Sequence, residues 1–212
     1  MLTLWGEGRG LRVAWMLEEM GLPWRLRPVD MLAGVENDPE FLAINPAGFI
    51  PALQDGETVV LESVAILQYL AGRYGPTPLA PAPDDPAYAP YLQFLHLGEA
   101  GLAGPVFFEV VTRILAPAEA QDNWTARKAM QTFEGRRGLV ARRLAEAPYM
   151  AGEAFTAADI SVSYALEFAE GPGGVTLTDA EQAYLERTTA RPAYQRALDR
   201  CPAMGGAAKR RL

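Results

Sequence analysis

The apolar positions of the chain change period several times in its first seventy-five residues, and each change marks an element. Leu2, Leu4 and Trp5 around Thr3 predict a short strand, and Gly6–Gly10 a loop. Over Leu11–Met20 the apolar spacing becomes helical, with Val13, Leu17 and Met20 three or four residues apart and Trp15 and Met16 adding bulk. Gly21-Leu22-Pro23 ends that helix. Alternation returns over Trp24–Val29, where Trp24, Leu26 and Pro28 interleave with Arg25 and Arg27. A helical length between two strands predicts a right-handed βαβ unit. Asp38-Pro39 opens a short helix to Ile44, Ala52–Leu61 reads as strand–turn–strand about Gln54-Asp55-Gly56-Glu57, and Glu62–Arg73 as a helix. The predicted order is β-α-β-α-β-β-α.

Prolines then dominate. Gly75-Pro76-Thr77-Pro78 and Ala80-Pro81-Ala82-Pro83-Asp84-Asp85-Pro86 predict a stiff, extended linker. Beyond it every periodic segment is helical: Tyr88–Leu115 with a bend at Gly101, Gly104 and Pro105, then Trp124–Ala147, the run Ile160–Phe168, Thr178–Arg187 and Pro192–Asp199. Thr156-Ala157-Ala158-Asp159 before the apolar run is a capping box with Asp in place of the usual Glu. The expected organisation is an α/β domain over residues 1–75, a Pro-rich linker over 76–86 and an all-α domain over 87–212.

Composition narrows the possible chemistry. Of 212 residues half are hydrophobic, enough for one large core or two modest ones, and 26 acidic against 19 basic side chains give a net charge of −7. That field opposes nonspecific association with nucleic acid or anionic membrane. Lys209-Arg210-Arg211 reads as a solvated basic end. One cysteine, Cys201, and one histidine, His96, leave no His/Cys set with metal-ligand spacing. No secretory signal and no apolar run of membrane-spanning length is expected, which makes a cytoplasmic protein the default.

Two loops invite a functional reading. Gly6-Glu7-Gly8-Arg9-Gly10 lies between strand and helix, with Asp30 near the end of the second strand, as in a dinucleotide fingerprint. Leu11 stands where the third glycine is needed, so a turn that uses glycine's freedom at positive φ is the better account. Asn45-Pro46-Ala47-Gly48-Phe49-Ile50-Pro51-Ala52-Leu53 places Pro51 at a strand entrance. Pro51 either blocks pairing at a sheet edge or, as a cis residue, turns the Ile50 backbone outward to pair with an extended ligand. Glu62-Ser63 likewise reads as ordinary helix capping, or as a site where the helix N-terminus and hydroxyl take a carboxylate and Glu62 an ammonium. Those two ligand charges together describe an α-amino acid terminus.

Asn45-Pro46-x-Gly48-x-Ile50-Pro51-Ala52-Leu53, Glu62-Ser63-x-Ala65-Ile66, Phe155-Thr156-x-x-Asp159 and the element order resemble the cytosolic glutathione S-transferases. Arg12-Val13-x-Trp15-x-Leu17-Glu18-Glu19-x-Gly21-Leu22-Pro23 and Tyr91-Leu92-Gln93-x-x-His96-x-x-Glu99-Ala100-Gly101 are similar to bacterial members. The resemblance implies a thioredoxin-like N-terminal domain (βαβ-αββα), an all-α C-terminal domain, glutathione as co-substrate and a homodimer. By position, Pro51 would be the cis-proline, Ile50 would pair with the cysteinyl backbone of glutathione, and Glu62 and Ser63 would hold its γ-glutamyl end. Thr156 and Asp159 would form a folding element. Glu99 would face a partner chain's ligand or lie on the surface.

Two departures from that pattern stand out. The thiol-activating residue is a Tyr, Ser or Cys in or after the first strand, yet residues 1–62 contain none. Gly8-Arg9-Gly10 replaces a Ser-Arg-Ser of relatives, and the substitutes are the backbone N–H groups of Gly8–Gly10 with the charge of Arg9 or Arg12; Arg9 and Gly10 are thus the catalytic candidates. Phe49 replaces the Lys or Arg that helps relatives bind the glycyl carboxylate, so that either glutathione binding is weakened or Arg9 substitutes. An apolar acceptor site is expected between the Glu7–Arg9 loop and the helix bearing Phe107, Phe108, Val111 and Ile114, although helical spacing of this kind ordinarily marks core. Three functions follow: conjugation of the glutathione thiol to an electrophilic apolar substrate, glutathione-dependent reduction of a disulfide or peroxide, and non-catalytic glutathione binding or protein interaction.

Overall fold

The computed structural model describes residues 1–31 and 33–202, in two compact units. The expected basic end at Lys209-Arg210-Arg211 lies outside the described residues.

The first unit holds residues 1–77 and the chain from Ala190 onward. Its elements are β1 (Leu2–Trp5), α1 (Gly10–Glu19), β2 (Trp24–Arg27), a 3₁₀ turn (Val35–Asn37), α2 (Pro39–Ile44), β3 (Ala52–Asp55), β4 (Thr58–Leu61) and α3 (Ser63–Tyr74). The four strands lie in the order β2-β1-β3-β4, with β1 and β2 parallel and the other pairs antiparallel. The parallel pair needs a crossover, and α1 supplies it. Gly56, at φ 62°, makes the tight β3–β4 turn. This is the thioredoxin-like βαβ-αββα arrangement. Leu4, Leu53, Val13, Leu17, Ile66 and Leu70 are fully buried, so one sheet face packs on α1 and α3. Trp5, Val29, Phe41 and Ala52 form a second apolar cluster.

Asp38 caps α2 through the Phe41 N–H at 3.0 Å. Its carboxylate also meets Arg27 at 3.0 Å, joining β2 to α2. The last helix, α10 (Pro192–Arg200), packs against α1, although in chain order it follows the helices of the second unit. Tyr194 meets the Trp15 ring edge-on at 4.7 Å.

The second unit, residues 78–189, is helical: α4 (Tyr88–His96), a π-helical segment (Leu97–Ala103), α5 (Gly104–Leu115), α6 (Ala118–Gln121), α7 (Trp124–Glu146), α8 (Ala157–Glu170) and α9 (Asp179–Thr189). Apart from one bridge between Tyr149 and Gly152, no strand pairing occurs here among the described residues. The expected bend at Gly101, Gly104 and Pro105 is instead a widened π turn, and the helix runs on from Tyr88 to Leu115. This alters one expectation: the 28-residue run is long and apolar enough, by length and composition, to cross a bilayer. Half of its most apolar window is buried in the protein, as in a core helix. Gly98 permits its closest packing, since a Cβ there would lie 2.3 Å from Ser161 Oγ and 2.6 Å from the Ser161 carbonyl carbon. Ser161 in turn donates to Leu95 O at 2.8 Å.

The capping box at Thr156 and Asp159 forms on α8, and its acid does further work. Fully buried Asp159 accepts from Met150 N and Thr156 N, each at 2.8 Å, and from Tyr184 OH at 3.0 Å. Burial pushes its pKa up to about 6 against the opposing pull of these donors. Glu181, equally buried, takes a bidentate pair from Arg137 at 2.7 and 2.5 Å and the Thr178 N–H at 2.8 Å. Burial raises its pKa too, but the guanidinium and the Thr178 donors outweigh it and the net shift is downward.

Candidate functional site

Three strands end at one corner of the first unit. Trp5 and Leu61 both pair with Ala52, so the loop after β1, the residues before β3 and the start of α3 leave the sheet side by side. Each of these segments carries residues singled out from the sequence.

The Ile50–Pro51 bond is cis, as expected for Pro51. β3 is flanked by β1 and β4, so Pro51 does not guard a sheet edge, and the edge-blocking reading fails. Fully buried Asn45 shapes the approach: its side chain donates to Phe49 O at 2.7 Å and accepts from Ala47 N at 3.1 Å. No role was foreseen for Asn45, and an Asn before a Pro in a turn-rich segment was the available signal. Among the described residues no hydrogen bond reaches the N–H or C=O of Ile50. Phe49 is half-buried.

Glu62 and Ser63 are not an ordinary cap. Glu62 precedes α3 at φ 66°, ψ 114°, the one non-glycine residue at positive φ among those described, and its side chain caps nothing. Such a conformation costs roughly 1–3 kcal/mol and concentrates at binding sites. Its side chain is exposed and points a carboxylate to solvent at the helix start. Ser63 lies inside the first turn of α3 and is buried. Its Oγ accepts from Arg12 Nη1 at 3.2 Å. That bond uses one lone pair of the hydroxyl and leaves its proton to be donated. Arg12 is itself 0% exposed, which is rare for arginine, and it reaches from α1 to α3. The sequence offered Arg12 as a charge for the thiol; the structure gives it the work of fixing Ser63.

The Gly6–Gly10 loop is compact. Gly6, at φ 86°, sits so close to Ile50 that a Cβ would lie 2.3 Å from Cγ2 and 2.5 Å from Cβ of that residue. Gly10 donates to Glu7 O at 2.9 Å, Leu11 to Gly8 O at 3.0 Å and Arg12 to Arg9 O at 3.3 Å. The Gly10 N–H is therefore engaged, which corrects its expected part as a free donor. Arg9 is half-buried at the N-cap of α1 and makes no side-chain cap bond. Cys201, just past α10, is fully buried beneath this loop, and burial lifts its pKa to about 12.

Residue matches at this corner agree with comparisons along the whole chain. Residues 10–73 match the glutathione S-transferase N-terminal domain family. Glutathione S-transferase 3 of Zea mays is 35% identical over 199 residues, covering 91% of this chain and 89% of that protein. The chain belongs to the glutathione S-transferase family. A glutathione transferase from Methylococcus capsulatus superposes with a TM-score of 0.80 at 28% identity, covering 94% of this chain and 98% of that one. The Phanerochaete chrysosporium transferase URE2P6, solved with oxidized glutathione, gives 0.77 at 26% identity, covering 93% and 94%.

The remaining candidates of this family member lie in the second unit. Glu99 is half-buried on the π segment. On α5 the buried stripe is Pro105, Val106 and Val110. Phe107 and Val111 are half-buried, while Phe108 and Ile114 are 62% and 65% exposed. The plain-core reading of Phe108 and Ile114 is thus overturned, because they fall off that stripe. Among the described residues no group of three or more His, Cys, Asp or Glu side chains has metal-binding geometry.

Proposed function

We propose that this protein binds glutathione at the corner where β1, β3 and β4 end, and joins the glutathione thiol to an electrophilic apolar substrate. The observation that carries this is the convergence of the Ile50 backbone, turned by cis-Pro51, with a Ser63 hydroxyl fixed by Arg12. The Ile50 N–H and C=O suit the cysteinyl backbone of the tripeptide. Ser63 and the α3 N-terminus suit its γ-glutamyl carboxylate, and Glu62 suits the ammonium group. In the reaction the thiol gives up its proton, the thiolate sulfur bonds to the electrophilic carbon, and the leaving group departs with the electron pair. With the first N–H groups of α1 engaged, the thiolate faces the positive end of the helix dipole and the Arg9 charge. Phe107, Phe108 and Val111 on α5 are assigned to the apolar acceptor. A cytoplasmic homodimer, with Glu99 toward the partner chain, completes the reading.

Calorimetric titration with glutathione tests it. Binding in the micromolar to millimolar range is expected, and no heat at millimolar ligand would sink the proposal. Ser63→Ala removes a charge-assisted hydrogen-bond donor, worth about 1.5–3 kcal/mol, and should weaken binding roughly tenfold to a hundredfold. An unchanged affinity would place the site elsewhere.

One observation favours a second reading, reduction of a mixed disulfide or peroxide. Residues 1–62 contain no Tyr, Ser or Cys to stabilise a thiolate, and the Gly10, Leu11 and Arg12 N–H groups are already bonded. Comparing turnover of a glutathione mixed disulfide with that of an aryl halide separates the two; turnover of the halide alone excludes the reductase. If neither turns over and bound glutathione keeps its ordinary thiol pKa, the protein is a glutathione-binding module.

A further inference from the structure

The acidic end of α1 is in the wrong place for an isolated helix. Glu18 and Glu19 lie in the last turn, with no basic residue there, where the helix dipole disfavours negative charge. Both carboxylates are satisfied from α10 and its flanks. Glu19 accepts Arg191 Nε at 2.6 Å and Nη2 at 2.8 Å, and Trp15 Nε1 at 3.1 Å. Glu18 accepts Arg196 Nε at 2.8 Å, Arg200 Nη1 at 2.5 Å and Trp24 Nε1 at 2.9 Å. The Arg200 guanidinium also stacks on Trp24, 3.8 Å from the ring centroid, and donates to Trp24 O at 2.6 Å.

The same helix reaches the opposite end of α1. The residue that ends α10, Cys201, puts its sulfur where a Cβ on Gly10 would find it 3.6 Å away, with Pro51 Cβ at 3.7 Å from the same point. Its backbone N–H closes α10 on Ala197 O at 2.7 Å. Thus one helix neutralises the C-terminal end of α1 and underpins the residue that opens it, beside the cis-proline. α1 also carries Arg12, which fixes Ser63.

We propose that α10 is a positioning element of the glutathione corner, so that docking of α10 on α1 and binding of glutathione strengthen each other. The inference rests on the glutathione reading above and adds Arg191 and Arg196, at the far end of α1, and Cys201, beneath its first turn, as positioning residues. Coupling between two such sites is reciprocal: whatever docked α10 adds to glutathione affinity, glutathione adds to the docking of α10.

Cys201 is the chain's only cysteine and is fully buried, so its labelling by an aromatic disulfide reagent reports release of α10. S-methylglutathione serves as ligand, because its sulfur cannot react with the reagent. Saturating S-methylglutathione should slow labelling of the wild-type protein about fivefold or more. The Arg191→Gln/Arg196→Gln variant should label faster and bind S-methylglutathione correspondingly more weakly. The swap Glu19→Arg/Arg191→Glu should restore both readouts relative to Arg191→Glu alone. Labelling in the wild type that ignores bound ligand, or a fast-labelling variant with wild-type affinity, would overturn the coupling. A wild-type protein that binds no S-methylglutathione and no glutathione by calorimetry refutes the glutathione reading itself, and this inference with it.

Discussion

Two glycines four residues apart should respond oppositely to the same methyl group. At Gly6 the backbone has φ 86°, and the added Cβ would overlap Ile50 Cγ2 at 2.3 Å and Cβ at 2.5 Å. The left-handed conformation alone costs an L-residue about 1–2 kcal/mol, and forcing a carbon into a packed contact about 1–3 more. Restoring ordinary contact requires Ile50 to retreat by roughly 1 Å, and Ile50 is the residue assigned to pair with the ligand. Gly6→Ala should therefore lose about 2–5 kcal/mol of stability and bind glutathione markedly more weakly. Gly10 lies in the first turn of α1, where a Cβ meets Cys201, Pro51 and Leu4 only at 3.6 to 3.8 Å. Gly10→Ala should keep or gain stability, by up to about 1 kcal/mol from the lower cost of ordering alanine. Urea denaturation followed by tryptophan fluorescence, with calorimetry for glutathione, reads both. A Gly6→Ala protein equal to wild type in midpoint and affinity would refute the account of the corner. So would a Gly10→Ala protein destabilised as much as Gly6→Ala.

The two buried acids of the second unit predict opposite pH slopes. Asp159, with its folded pKa at about 6 against an ordinary 3.8, binds its proton more tightly folded than unfolded. Its contribution is fully present below pH ~4 and lost as pH rises through ~6, on the order of 3 kcal/mol. Asp159→Asn should remove that loss, seen as a smaller fall in urea midpoint between pH 4 and pH 7; an identical pH profile would contradict it. Glu181 is shifted downward, so its contribution is present above its ordinary pKa and fades as pH falls. Arg137→Met, which strands the Glu181 carboxylate in the interior, should cost about 3–5 kcal/mol at pH 7 and less in acid; thermal unfolding within about 1 kcal/mol of wild type at pH 7 would refute this.

Element type was legible in the sequence wherever a period was long or a punctuating residue sharp. Leu2–Trp5, Pro39–Ile44 and Trp124–Glu146 fall where alternation, Asp38-Pro39 and charged helical spacing put them. At the candidate site the cis bond at Pro51 could be read because proline has few structural uses. Arg12 could not. Sequence marks it as a candidate charge for the thiol, and only the crossover geometry shows that its guanidinium is buried against α3. The placement of α10 was equally hidden, since Glu18, Glu19 and the arginines at 191, 196 and 200 are some 175 residues apart. The exposure of Phe108 and Ile114 was hidden for a third reason: helical apolar spacing shows that an apolar face exists, not which of two neighbouring apolar faces is buried.

The bend expected at Gly101, Gly104 and Pro105 takes the form of a π segment, Leu97–Ala103. A turn that takes in an extra residue resets the angular count of everything downstream. α4 and α5 are therefore two phases of one rod, and a wheel drawn through one assigns the wrong faces to the other. Removing a single residue from 97–103 would leave the composition of α5 untouched yet rotate it by about 100°. Phe107 and Val111 would then take the buried positions of Val106 and Val110. For this helix the length between two side chains is as much a part of the message as their identity.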